Sequence, residues 1–221
     1  MRRIIGAAFV SLDGVMQAPG GTSEDSTGGF TQEGWLAAVG DEAIDATVGA
    51  VFGRPYDLLL GRRTYDIFAA YWPYVEGEMK PLGEAFDRCT KYVVTRGSQP
   101  LDWQNSERVS GVDAIRALKQ GDGPDLVIQG STTLYPPLLA AGLIDRLTLM
   151  TAPVVIGSGK RWFGEGTAPA TMRMVDHQVG SKGCIVATYE PAGPVVLQDI
   201  GPLSTSAAEA ERQARIKAGT W

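Results

Sequence analysis

The sequence is poor in the residues that build most metal and nucleophile sites. Its two cysteines, Cys89 and Cys184, lie far apart and in no metal-ligand spacing, which argues against both a disulfide framework and a zinc centre. Its one histidine, His177, has no serine or cysteine nucleophile motif near it, so a triad or a histidine-rich metal site is a poor reading and no metal is expected. No apolar run approaches the roughly 20 residues that span a bilayer, and Met1-Arg2-Arg3 leads into a strand pattern instead of a signal-peptide core. A soluble, cytoplasmic protein with no membrane partner is expected. Charge of one sign is not concentrated either: 20 basic and 25 acidic residues are mixed along the chain, which offers no field for a nucleic-acid backbone. Internal repeats and low-complexity tracts are absent, and 221 residues suffice for one buried α/β core with an appendage.

What the sequence does contain is a pair of strand-glycine-helix turns. The first is Leu58-Leu59-Leu60-Gly61-Arg62-Arg63-Thr64 and the second is Leu126-Val127-Ile128-Gln129-Gly130-Ser131-Thr132-Thr133-Leu134. A glycine at a strand end lets a ligand approach the backbone, and the unpaired N–H groups of the following helix favour an anion. Two such turns, one carrying two arginines and a threonine, suit a long dinucleotide lying across the strand ends.

The remaining pattern places these turns in an α/β order. Short apolar strands are expected at 3–10, 91–95 and 125–129, and helices at 41–52, from Gly61 to about Trp72, at 112–120 and at 131–141. One helical turn is expected around 83–88. The segment 20–34 is rich in Gly, Ser, Thr and charge without periodicity and reads as a flexible loop of the kind that forms lids. After residue 144 the rhythm turns to β, and Gly180-Ser181-Lys182-Gly183 reads as a hairpin turn between strands 171–179 and 184–189. The fold class expected is three-layer α/β, a mainly parallel central sheet with antiparallel C-terminal edge strands. Residues 1–190 form the expected domain. Residues 191–221 form an extension whose helix, 206–217, has only Ile216 and the terminal Trp221 as large apolar anchors.

The order of Ser11-Leu12-Asp13-Gly14, Leu60-Gly61-Arg62-Arg63-Thr64, Thr95-Arg96, Gln129-Gly130-Ser131-Thr132-Thr133-Leu134 and Pro153-Val154-Val155-Ile156-Gly157-Ser158-Gly159-Lys160 resembles the dihydrofolate reductase-like superfamily. The branch it resembles most is that of the riboflavin-biosynthesis reductase domain. That resemblance implies NADPH as cofactor and a homodimer as the assembled state. By position, Gly61, Arg62, Arg63 and Thr64 would lie under the pyrophosphate and adenosine end, and Thr95 and Arg96 would meet the 2′-phosphate. Gln129 and Gly130 to Leu134, including Ser131, Thr132 and Thr133, would cradle the other phosphate side, while Ala8, Leu12, Asp13 and Val15 would border the nicotinamide. The carboxylate that helps protonate the pterin in dihydrofolate reductases maps by counting to Asp45, with Asp41 one turn earlier. Trp35 and Phe52 are the aromatics placed to stack on an acceptor.

Two departures limit the substrate assignment. Ile128 stands where the riboflavin-pathway domains have an acidic residue, and no deaminase half is present, since the chain lacks its His-x-Glu and Pro-Cys-x-x-Cys pair. The expected function is an NADPH-dependent reductase that passes hydride to a small planar heterocycle such as a pterin or flavin precursor. A non-catalytic NADP(H)-binding module and a structural dimer are the alternatives. For the dimer contact, strands around 147–155 are the expected candidates.

Overall fold

The computed structural model describes residues 1–199, 201 and 205–220. Eight strands form one sheet in the order β4-β3-β2-β5-β1-β6-β8-β7. The strands are β1 (Ile4–Ser11), β2 (Tyr56–Gly61), β3 (Lys91–Val94), β4 (Ser106–Val109), β5 (Asp125–Gln129), β6 (Arg146–Ala152), β7 (Met172–Val179) and β8 (Ile185–Pro191). From β4 to β6 every pairing is parallel, and β8 and β7 close the other side antiparallel. The expected fold class is therefore the observed one. Because parallel neighbours all end on one side, Ser11, Gly61, Val94, Gln129 and Ala152 stand along a single rim.

Alternation along the strands sends side chains to two apolar layers. On one face, Ile4, Ala8, Val10, Leu59, Leu126 and Ile128 pack against Ile115 of α4 (Gly111–Gln120) and Tyr135 and Leu138 of α5 (Tyr135–Ala140). On the other, Leu58, Leu60 and Val127 meet α2 (Arg62–Tyr71) and α3 (Lys80–Arg88), while Ala7 and Met150 meet α1 (Glu42–Phe52). Close approach is achieved by omitting a side chain: a Cβ on Gly6 would lie 2.6 Å from the Tyr135 ring. The Tyr135 hydroxyl in turn donates to the Ile128 carbonyl at 3.2 Å, satisfying a buried acceptor.

Several expectations change. The four-residue strand β4 was not foreseen, because Ser-Glu-Arg-Val at a sheet edge has three polar residues and no alternation. The helix expected directly after Gly130 does not start there. Gly130 (φ 71°) and Ser131 (φ 59°) are both left-handed, a single 3-10 turn follows, and α5 begins only at Tyr135. Segment 20–34 is held down: Phe30 is buried with Val15 and Ala18, and Glu24 accepts the Gly20 and Gly21 N–H groups at 2.7 and 3.2 Å. Around 147–155, β6 is paired on both sides, by β1 and β8, and so cannot offer an open edge. Among the described residues the open edges are β4 and β7. In the extension, α6 (Ala207–Lys217) forms with Ser206 as its N-cap, and Ile216 remains 40% exposed. Trp221 lies outside the described residues.

Among the described residues no helix is long and apolar enough to cross a membrane.

Candidate active site

The two glycine turns interlock. Gly61 N–H donates to Ser131 Oγ at 2.9 Å, and Ser131 N–H donates to Thr64 Oγ1 at 3.1 Å. A Cβ on Gly130 would stand 3.1 Å from the Thr64 methyl. Both hydroxyls are thus used to join the turns, which fixes the rim before any ligand arrives. Thr133 stands over Gly61, where an added Cβ would lie 3.8 Å from its Oγ1, and it is exposed; Thr132 is half-buried, and Leu134 is buried in the core.

The start of α2 carries unusual charge. Helix α1 has an aspartate cap and Glu42 and Asp45 in its first turn, as the helix dipole favours. Helix α2 has no side-chain cap and no acid in its first turn, and begins with Arg62 and Arg63. An anion at this end would relieve both the dipole and the arginine repulsion. Arg62 is committed to the protein: Nε donates to Asp66 at 2.8 Å, and Nη1 donates to the Gln99 and Pro100 carbonyls, each at 3.1 Å. Arg63 is exposed, and among the described residues nothing bonds to it. Because Gly61 pairs with Val94, Arg62-Arg63 and Thr95-Arg96 leave from neighbouring strand ends. Arg96 is also exposed and unbonded among the described residues, while Thr95 Oγ1 accepts the Gly97 N–H at 3.1 Å.

Arg63 lines an open cleft of about 460 Å³ together with Gln17, Thr27, Phe30, Ser158 and Lys160. Several of these lining residues are tied together by side chains. Gln17 Nε2 donates to the Asp25 and Thr27 carbonyls at 2.8 and 2.9 Å, and its Oε1 accepts the Lys160 N–H at 3.0 Å. Lys160 Nζ pairs with Asp25 and donates to Thr27 Oγ1 at 2.7 Å.

Asp13 connects this wall to β1. Its Oδ1 accepts from Ser11 Oγ at 2.6 Å and from Ile156 N–H at 3.0 Å, and its Oδ2 accepts from Gly157 N–H at 2.8 Å. These bonds, the Ser11 hydroxyl first, hold its carboxyl well below the usual carboxylate range. Asp13 is a clamp under the cleft. Its neighbours differ: Leu12 is exposed, Val15 is fully buried, and Ala8 is sealed in the core beneath the turn.

Near the glycine turns the sheet floor carries a buried polar group without a partner among the described residues. Gln129 is 9% exposed, and its buried Oε1 has no partner. It lies beside Ala7 of β1 in register, on the strand between the apolar layers under α1 and under α2. Ile128 points the other way into the core, so the side chain ahead of the glycine turn that reaches this floor is Gln129.

The two carboxylates expected to move a proton are not brought into that arrangement. Asp41 caps α1 and clamps the β7–β8 turn, accepting from Ala43, Lys182 and Cys184 N–H groups at 3.2, 3.0 and 3.2 Å. Burial raises its carboxyl, and these donors more than offset that, leaving it below its ordinary value. A carboxylate so satisfied is a structural cap. Asp45 is exposed on α1, and among the described residues its carboxylate has no partner. Phe52 is a correction: it lies edge-on to Tyr56 and Phe86, at 5.0 and 5.1 Å, at the start of β2 and the opposite end from Gly61. Trp35 bridges two apolar clusters and donates Nε1–H to the Gln17 carbonyl at 2.8 Å, bracing the cleft wall. Sequence reasoning missed Gln17, whose amide joins three backbone groups of the cleft wall.

Comparison with known proteins agrees with this architecture. The family model described as the RibD C-terminal domain matches residues 2–186. The uncharacterized protein YyaP of Bacillus subtilis (strain 168) is 26% identical over 196 residues, 85% of this chain and 94% of that one. A protein ascribed to riboflavin biosynthesis from Shewanella sp. PV-4 superposes with a TM-score of 0.61 at 18% identity, covering 86% of this chain and 99% of its own. Dihydrofolate reductase from Enterococcus faecalis, complexed with NADP(H) and RAB-propyl, gives 0.54 at 16% identity, covering 86% and 96%. The match from Arg2 to Val186 takes in every strand of the rim and both glycine turns, and the chain belongs to the RibD C-terminal domain family.

Proposed function

We propose that the protein is an NADPH-dependent reductase that passes hydride to a small planar heterocycle. The observation that carries this reading is the uncapped, acid-free start of α2, where Arg63 lines the cleft without a partner among the described residues, with the unbonded Arg96 following the neighbouring strand end. That donor set fits a ligand with phosphates at more than one point, because guanidinium groups and a helix N-terminus both bind phosphate oxygens. When bound, the cofactor would supply the hydride. The protein's share is positioning and exclusion of water: the interlocked turns fix the rim, and the wall held by Gln17 and Asp13 borders the cleft. Gln129, with its orphaned amide oxygen, suits an acceptor that presents an N–H.

The test is consumption of NADPH, followed by loss of reduced-nicotinamide absorbance, against a panel of pterins, flavins, pyrimidines and quinones. Turnover of a nitrogen heterocycle supports the reading, and NADPH binding without turnover of any acceptor refutes it. A second reading, a module that binds NADP(H) without turnover, is favoured by the state of the two candidate acids: Asp41 is fully engaged as a cap and Asp45 is exposed. On the first reading the proton comes from water or from the acceptor's own surroundings rather than from a buried acid.

A further inference from the structure

The segment 95–100, which carries Arg96, has no helix or strand of its own, yet it is held by two guanidinium groups. Arg108, on the edge strand β4, donates through Nη1 to the Gly97 carbonyl and through Nη2 to the Gln99 carbonyl at 2.6 Å. Arg62 donates to the same Gln99 carbonyl and to that of Pro100, each at 3.1 Å. The ends are fixed as well: Thr95 N–H donates to the Val109 carbonyl at 3.2 Å, and Gly97 N–H donates to Thr95 Oγ1 at 3.1 Å. Three carbonyls are therefore turned toward Arg62 and Arg108, and Arg96 is the cation of this group left exposed and unbonded among the described residues.

We infer that Arg108 is a positioning residue for cofactor choice: it folds segment 95–100 so that Arg96 stands beside Arg63 at the anionic rim. The preference for a dinucleotide bearing a 2′-phosphate then depends on a residue that does not touch it. Two features support an indirect role. Each terminal nitrogen of Arg108 donates to a carbonyl of the segment, and its position on β4 is one strand farther from the glycine turns than Arg96. The planar fork matters, since one guanidinium reaches two carbonyls that a lysine ammonium would meet as a single point. This inference rests on the reading of the rim as an NADPH site.

The test is calorimetric binding of NADPH, NADH, 2′,5′-ADP and 5′-AMP to the full chain and to R108A, R108K, R96A and R96A/R108A, with thermal melts as a check on folding. The account predicts that R108A weakens NADPH and 2′,5′-ADP by about tenfold, the scale of one charge-assisted hydrogen bond, and leaves NADH and 5′-AMP within about twofold. R108K restores little of the loss. The double variant is no weaker than R96A alone, because the two residues act through one contact. If R96A lowers the NADPH to NADH ratio and R108A and R108K do not, or if the two losses add, the inference is overturned while the cofactor assignment stands. Equal binding of NADPH and NADH by the unaltered chain overturns both.

Discussion

Replacing Asp13 with alanine is expected to loosen one wall of the cleft, and the size of the effect follows from its bonds. The carboxylate accepts from Ser11 Oγ, Ile156 N–H and Gly157 N–H, and lies 3.5 Å from the Arg161 guanidinium. Water can replace the exposed Gly157 bond and screen the arginine, so we count only the two part-buried bonds. Hydrogen bonds to charged groups contribute about 1.5–3 kcal/mol each at best, and partial exposure reduces the pair to about 2–4 kcal/mol. At roughly 2–4 °C per kcal/mol for a chain of this size, the melting temperature should fall by roughly 5–15 °C. Asp13→Asn, which keeps one acceptor oxygen, should lose about half as much. The pH dependence has a definite sign. The folded carboxyl is held below its unfolded value of about 3.9, so its stabilisation is complete above that value and is lost as pH falls toward the folded one. Thermal melts of both proteins from neutral pH downward should therefore converge in the acid range. A gap that stays constant with pH, or an Asp13→Ala protein that melts with the wild type, would refute the clamp.

Gly159 has φ +130°, and an added Cβ would lie 2.8 Å from Val15 Cγ1 and 2.9 Å from the Phe30 ring. Strain and overpacking together predict that Gly159→Ala loses about 2–4 kcal/mol in urea unfolding, while Gly164→Ala, with open space around it, stays within about 0.5 kcal/mol. Equal effects would show that the cleft wall is not packed on Phe30. Gln129→Leu removes the orphaned buried amide and should leave stability equal or higher, with NADPH affinity unchanged and acceptor kcat/KM down by about tenfold or more. A loss of NADPH affinity instead would move Gln129 to the cofactor side. Strand β7 is an open edge with Met174 and Val179 51% and 65% exposed, so we expect a homodimer through it. Light scattering should give twice 23.5 kDa for the wild type and a smaller mass for Val175→Lys; a wild-type monomer would end that expectation.

The legible parts of this molecule were those in which local chemistry and tertiary role coincide. Leu58-Leu59-Leu60-Gly61 reads as a buried parallel strand because both faces are apolar, and it is one. Gly180 to Gly183 reads as a hairpin turn and forms it, with Gly180 N–H bonded to the Cys184 carbonyl. The failures arose where a residue's role depends on a distant partner. Asp41 has the sequence environment of a helix start, but its clamp on Lys182 and Cys184 spans more than a hundred residues. Segment 20–34 has loop composition, and only the insertion of Phe30 against Val15 and the reach of Gln17 hold it down. Ser131 reads as the first residue of a helix, and its left-handed backbone accompanies its bonds with Gly61 and Thr64 on another strand-helix unit. Phe52 shares a helix face pattern with either a core or a cleft residue, and only the chain path into Tyr56 decides between them.

The most direct test of the account is a calorimetric titration of NADPH and NADH into the full chain and into Arg63→Ala/Arg96→Ala. Both arginines are exposed and unbonded among the described residues, and each follows one of two neighbouring strand ends, so their removal should leave the fold intact. The account predicts saturable one-to-one binding of NADPH by the wild type, weaker binding of NADH, and a loss in the double variant of about 1.5–3 kcal/mol that falls on NADPH far more than on NADH. Absence of NADPH binding by the wild type, or equal losses for both dinucleotides in the variant, would contradict it.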